Sequence, residues 1–196
     1  MEADISKEND TRKIAEKVMQ HYGRVDILIN NAGIWRGLEA RPWDSYSVQE
    51  WDKIFEVNVK KGTWLYCKAI APLMIKQASG KIINIASDVM KVPDSQFFSA
   101  YALSKAAVHA MIQSLAAALG PSGINVNAIR PGFTATESSL SKSGSDKIFE
   151  GVVAAQFLKR RQEPADVLGA AVFLASKESN FITGQLIIVD GGHVVL

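Results

Sequence analysis

Apolar positions along this chain alternate between a helical and a strand-like rhythm, and that alternation predicts its architecture. Ile14, Ala15, Val18, Met19 and Tyr22 share one face of a 3.6-residue repeat, with Ser6 as cap, Glu8 and Asp10 in the first turn and Gly23 as stop. Residues 25–29 then run apolar with little alternation, as a strand covered on both faces does, and Asn30-Asn31-Ala32-Gly33 turns the chain. Ser47 and Glu50 form a capping box that opens a long helix with Trp51, Ile54, Phe55, Val59, Leu65, Tyr66 and Cys67 as its apolar surface. Residues 81–86 read as the next strand, and a helix carrying Tyr101 and Lys105 runs to Leu119 before Gly120-Pro121 stops it. Residues 124–129 make a third strand, the polar stretch 138–146 a mobile loop, residues 164–175 a helix opened by Pro164, and residues 186–189 a last strand. Strands alternating with helices, without a tandem repeat, predict right-handed crossovers: an α/β fold with a parallel sheet and helices on both faces.

Composition narrows the classes. A chain of 196 residues with 47% apolar and 21% charged side chains fits one globular domain with a large core. The net charge of +2, from 22 basic and 20 acidic residues without a long block of either sign, marks no nucleic-acid or anionic-membrane surface. Lys159-Arg160-Arg161 reads as a solvated helix end, and no run reaches the ~18 apolar residues of a membrane span. Cys67 is the one cysteine, which excludes an internal disulfide and a thiol redox pair and points to a reducing cytoplasm. The polar start shows no signal-peptide core, and the three scattered histidines are read as non-ligands.

Candidate chemistry centres on Tyr101-Ala102-Leu103-Ser104-Lys105, where a tyrosine and a lysine four apart project from one helix face. A phenol titrates near pH ~10, so acid–base work at pH ~7 requires stabilising its anion by about 4 kcal/mol. An ammonium about 5 Å away supplies roughly 3 kcal/mol at an effective dielectric of about 20, so Lys105 is expected to lower the Tyr101 pKa. The spacing alone is more often structural, with the tyrosine packed and the lysine solvated. Two further residues stand out by position. Ser87 ends its strand on the side where parallel sheets hold ligands. Asn58 falls on the buried stripe of its helix, where a carboxamide needs partners.

These features together resemble the short-chain dehydrogenase/reductase family. Six segments carry the resemblance in family order: Asn30-Asn31-Ala32-Gly33, Asn58-Val59, Ile83 to Ser87, Tyr101 to Lys105, Pro131-Gly132 with Thr136, and Val189-Asp190-Gly191-Gly192. Phe181-Ile182-Thr183-Gly184-Gln185 is similar to the 3-oxoacyl-carrier-protein reductase and secondary-alcohol dehydrogenase group. The resemblance implies a doubly wound Rossmann-type sheet and hydride transfer between NAD or NADP and a ketone or secondary alcohol. It implies Tyr101 as acid/base, Ser87 as holder of the substrate oxygen, Lys105 as partner of Tyr101 and of the nicotinamide ribose, and Asn58 as holder, through its carbonyl, of a proton-relay water. Asn30, Ala32 and Gly33 would line the cofactor, Pro131, Gly132, Thr134 and Thr136 its nicotinamide end, and Asp4 and Ile5 its adenine. Trp35, Met90, Phe97, Phe98 and Phe133 would bound the substrate pocket. The alanine-rich helix implies a homo-oligomer, dimer or tetramer, with no nucleic-acid or membrane partner.

Two departures from the family pattern qualify what is expected. No G-x-x-x-G-x-G or G-x-G-x-x-G precedes Asp4, so the chain is expected to be a single Rossmann domain, residues 1–196, without its first strand–helix units and with weak coenzyme binding. Lys60-Lys61-Gly62 has one residue more than the family pattern, expected to bulge the helix beside Asn58. The rival reading is a non-catalytic shortened form acting only through association with other subunits; a sugar epimerase or dehydratase is a third.

Overall fold

In the computed structural model residues 4 and 7–194 are described, residue 94 by its backbone alone. The predicted cap Ser6 and the adenine-side Ile5 therefore lie outside the described residues. Four parallel strands, β1 (Ile27–Asn30), β2 (Gly80–Ile85), β3 (Ile124–Pro131) and β4 (Leu186–Val189), pair in the order β1-β2-β3-β4. Around them pack α1 (Glu8–Tyr22), α2 (Val48–Phe55), α3 (Leu65–Gln77), α4 (Ser99–Leu119), α5 (Glu137–Leu140), α6 (Ser145–Ala155) and α7 (Pro164–Ala175).

The two-residue period of the strands sorts the core. Ile82, Val126 and Ala128 point to one face, where Ala15, Cys67, Ile70, Met74, Ile112 and Ala116 from α1, α3 and α4 meet them. Ile83 and Ile129 point to the other, against Leu174 of α7. Each buried Val, Ile, Leu or Met among them contributes about 1.5–3 kcal/mol, so neither face is stable uncovered. Residues 95–122, spanning α4, are by length and composition long and apolar enough to cross a membrane. Here Val108, Ile112 and Ala116 of that stretch are buried in a core that also shelters Ser104 and Lys105, as in a core helix.

Three expectations need correction. The first concerns β1, which is not covered on both faces: Ile27 and Ile29 are 43% and 48% exposed, on the edge strand of the described sheet. The second concerns the helix opened by the Ser47–Glu50 capping box, which is not one continuous α-helix. Residues Glu56–Trp64 take π geometry, so that Leu65 N donates to the Lys60 carbonyl five residues back. The additional residue at Lys60-Lys61 is absorbed there, as the bulge expected beside Asn58. The third concerns residues 138–146, which are not one loop: Thr136 Oγ1 caps α5 by accepting from Ser139 N at 3.2 Å, and α6 begins at Ser145. Phe149 of α6 anchors this segment, buried 4.4 Å from the Phe133 ring.

Candidate active site

Tyr101 and Lys105 lie in the first turns of α4, both buried, on the face toward the C-terminal end of β2. Ser87 follows that strand; its hydroxyl accepts from Val89 N at 3.3 Å and lies close enough to Tyr101 to favour its ionised form. Lys105 Nζ donates to the Ile85 carbonyl at 2.8 Å and sits 5.8 Å from the Tyr101 ring centre. The end of β2 and the start of α4 thus bring Ser87 to the Tyr101–Lys105 pair.

Asn58 closes the group from the π segment. Its Oδ1 accepts from Ile34 N at 2.7 Å, and its Nδ2 donates to Ser104 Oγ at 3.1 Å, tying the turn after β1 to α4. Its main-chain carbonyl accepts from Thr63 Oγ1 at 3.0 Å. Gly33 is required by this closeness. A Cβ there would stand 3.0 Å from Asn58 Oδ1 and 3.8 Å from Lys105 Nζ.

The electrostatics correct one expectation. Burial raises the Tyr101 pKa; the Ser87 hydrogen bond opposes the rise, and the Asp88 charge adds to it. Burial also lowers Lys105 to about 8. Burial of the phenol outweighs an ammonium that is itself destabilised by burial and engaged with the Ile85 carbonyl.

The pocket residues separate into two groups. Trp35 packs 4.8 Å from the Tyr101 ring, 5.4 Å from Phe98 and 6.4 Å from Phe133, forming an aromatic wall beside the phenol. Phe97 turns outward, and Met90 lines a separate groove of about 250 Å³ along α4 with Ser99, Ala102 and Ala106.

The residues assigned to the cofactor form a broken strip along the strand ends. Asn30 is turned inward, its Nδ2 donating to Asn84 Oδ1 at 2.9 Å, so it braces β1 against β2. Ala32 and Gly33 are exposed beside Asn58 and Lys105. Pro131 ends β3, and Gly132 is crowded: a Cβ would meet Gln162 Oε1 at 2.6 Å and Asp190 Cα at 3.0 Å. Thr134 Oγ1 donates to the Gly132 carbonyl at 3.0 Å, and Thr136 is used as the α5 cap. Asp4, by contrast, is engaged locally, its N–H donating to Asp10 Oδ2 at 3.1 Å. The glycine-bounded strip next to Lys105 fits the nicotinamide-ribose end of a dinucleotide, because backbone without side chains lets a flat ligand approach closely.

Sequence reasoning missed Ser104, Gln162, Lys142 and the pairing of Asp88 with His193. Gln162 donates from Nε2 to the Val189 carbonyl at 2.8 Å, and its carbonyl pairs with Ala135 N at 2.8 Å. Ser104 sits inside the Tyr101–Lys105 segment, yet its partner Asn58 is 46 residues away, and the other roles are likewise defined by contacts across the fold. Among the described residues no three His, Cys, Asp or Glu side chains converge as a metal site.

A parallel sheet with half-buried Ser87 and buried Tyr101 and Lys105 gathered at the C-terminal end of β2 is the arrangement that the resemblance to a nicotinamide-dependent oxidoreductase implied. Comparison with known proteins agrees. The family profile described as Enoyl-(Acyl carrier protein) reductase matches residues 1–193. The 3-oxoacyl-(acyl-carrier-protein) reductase of Thermotoga maritima is 36% identical over 193 residues, 98% of this chain and 75% of that protein. Glucose 1-dehydrogenase 2 of Bacillus subtilis is 34% identical over 193 residues, covering 98% and 73%. The crystal structure of a gluconate 5-dehydrogenase from Burkholderia cenocepacia with NADP and tartrate superposes with a TM-score of 0.86 at 29% identity, over 97% of this chain and 72% of that one. The chain belongs to the short-chain dehydrogenase/reductase family, as an NAD(P)-dependent oxidoreductase acting between ketones and secondary alcohols. These relatives favour the catalytic reading over a non-catalytic association module.

Proposed function

We propose that Tyr101 is the acid/base of a carbonyl reduction, with Ser87 and Lys105 as its partners and Asn58 as their brace. The carrying observation is the convergence of Ser87, Tyr101 and Lys105 beside the exposed backbone at Ala32-Gly33. Bound nicotinamide supplies the hydride in reduction and accepts it in oxidation. Ser87 Oγ donates a hydrogen bond to the substrate oxygen and holds it against Tyr101 Oη. As the carbonyl carbon is reduced, Tyr101 Oη gives its proton to that oxygen, and the alcohol forms; oxidation runs the transfer backwards. Burial keeps the phenol protonated, the state from which reduction starts. Lys105 Nζ steadies the phenolate left behind and gives the nicotinamide ribose a hydrogen-bond donor. Asn58 holds the turn after β1 and the α4 backbone at fixed separation.

The substrate in this reading is a small ketone or alcohol whose carbon chain lies along Trp35, Phe98 and Phe133. The lone cysteine, buried Cys67, fits a cytoplasmic enzyme. The apolar face of α4 carrying exposed Leu103 supports assembly as a dimer or tetramer. The reading is tested with Tyr101→Phe, expected to lower NADPH-linked ketone reduction by roughly 10²–10⁴-fold while a coenzyme fluorescence titration is unchanged. Near-normal turnover in that variant overturns the assignment.

A further inference from the structure

Lys142 is a cation that the mechanism leaves without a task. It lies on the turn between α5 and α6 and reaches back over the aromatic wall, with Nζ 4.2 Å from the Trp35 ring centre and 5.7 Å from that of Phe98. The same Trp35 ring packs 4.8 Å from Tyr101, so the ammonium stands one indole away from the phenol. Its hydrogen-bond acceptor among the described residues is the Leu38 carbonyl. Arg36, the neighbouring cation, is already paired with Glu137 at 3.7 Å and is largely exposed.

An ammonium has three N–H donors, and the Leu38 carbonyl occupies one. Tying two loops together does not need this charge. An apolar side chain would cover Trp35 equally well without the cost of desolvating a cation, a cost that shows in the lowered pKa of Lys142, with the Glu39 field opposing. A half-buried cation against an aromatic wall does suit an anion, because the attraction strengthens where water is excluded.

We infer that Lys142 receives the anionic end of the substrate, a carboxylate, while the carbonyl or alcohol oxygen lies at Ser87 and Tyr101. The substrate class is then a small oxo-acid or hydroxy-acid whose carbon chain crosses Trp35. This inference rests on the oxidoreductase reading above.

The test compares oxo-acids of three to six carbons, 4-oxopentanoate among them, with their methyl esters in NADPH-linked reduction. The unaltered protein should prefer acid over ester in kcat/KM by roughly ten- to a hundredfold, the range of a charge-assisted hydrogen bond. Lys142→Arg should keep that ratio and Lys142→Met collapse it, mostly through KM, and added salt should shrink it. Equal kcat/KM for acid and ester, or a preference that Lys142→Met leaves intact, overturns the inference and spares the parent reading. Reduction of no acid and no ester overturns both. If Lys142→Met does not fold, the acid–ester ratio and its salt dependence in the unaltered protein decide the matter.

Discussion

His193 Nδ1 stands 2.9 Å from Asp88 Oδ2, joining the C-terminal turn to the residue that follows Ser87. Asp190 shapes that turn, its carboxylate accepting from the N–H groups of Gly192, His193 and Val194 at 2.9, 3.3 and 3.1 Å. Behind it the buried Arg130 approaches Asp190 to 3.8 Å. The Ser87 segment is thereby held from a part of the chain remote in sequence. His193→Ala, which strands a buried carboxylate, is expected to lower stability by about 1–3 kcal/mol in urea denaturation. Asp88→Asn, which keeps a hydrogen-bonding group, should lose less. Equal stability in all three proteins would show that the contact contributes nothing.

Lys105 and Tyr101 predict a peaked dependence of stability on pH. With Lys105 at about 8 against an ordinary 10.5, the unfolded chain holds a proton that the folded chain lacks across that window. Stability therefore rises from about pH 8 toward 10.5, by about 3 kcal/mol if this group acts alone. Tyr101 works in the opposite sense. Its raised pKa keeps a proton in the folded state that the unfolded state releases above its ordinary 10.0, so stability falls beyond that point. Urea titrations across this range should show the rising limb lost in Lys105→Met and the falling limb lost in Tyr101→Phe. Identical profiles in the three proteins would refute the burial argument.

The π segment predicts tolerance to a deletion. Lys60 is exposed, and the extra residue near it is accommodated by i→i−5 hydrogen bonds rather than by displacing Asn58. Removing Lys60 should let the segment return to α geometry, with the fold kept and the Thr63–Asn58 bond broken. Circular dichroism and urea denaturation check this. Failure to fold would mean that the wider helix is needed to seat Asn58.

Ile27 and Ile29 predict self-association. Both are apolar and half-exposed on the edge strand of the described sheet, where a further strand can pair. Light scattering of the chain should show assembly and hydrophobic-dye binding, and Ile29→Lys should reduce both. A clean monomer without dye binding would contradict this.

Much of the fold, and the residues that the structure gathers as the candidate site, were legible in the sequence itself. Strand positions, their parallel alternation with helices and the Ser47–Glu50 box follow from local periodicity and capping, which neighbours three or four residues apart enforce. Ser87, Tyr101, Lys105 and Asn58 stood out because their chemistry is tied to motif spacing and strand-end position. Tertiary structure alone decided the rest. Whether Lys105 lowers the Tyr101 pKa depends on how much water the packed site admits, and burial reversed the expected direction. Phe97 and Phe98 are adjacent in sequence, yet Phe98 joins the Trp35 wall and Phe97 faces outward, a choice made by packing rather than by hydrophobicity. The helix α6 packs through Phe149 on Phe133, and the roles of Lys142, Gln162 and His193 depend on partners far along the chain. Local spacing determines which groups share a helix face or a strand end; desolvation and long-range contact exist only once the chain has closed on itself.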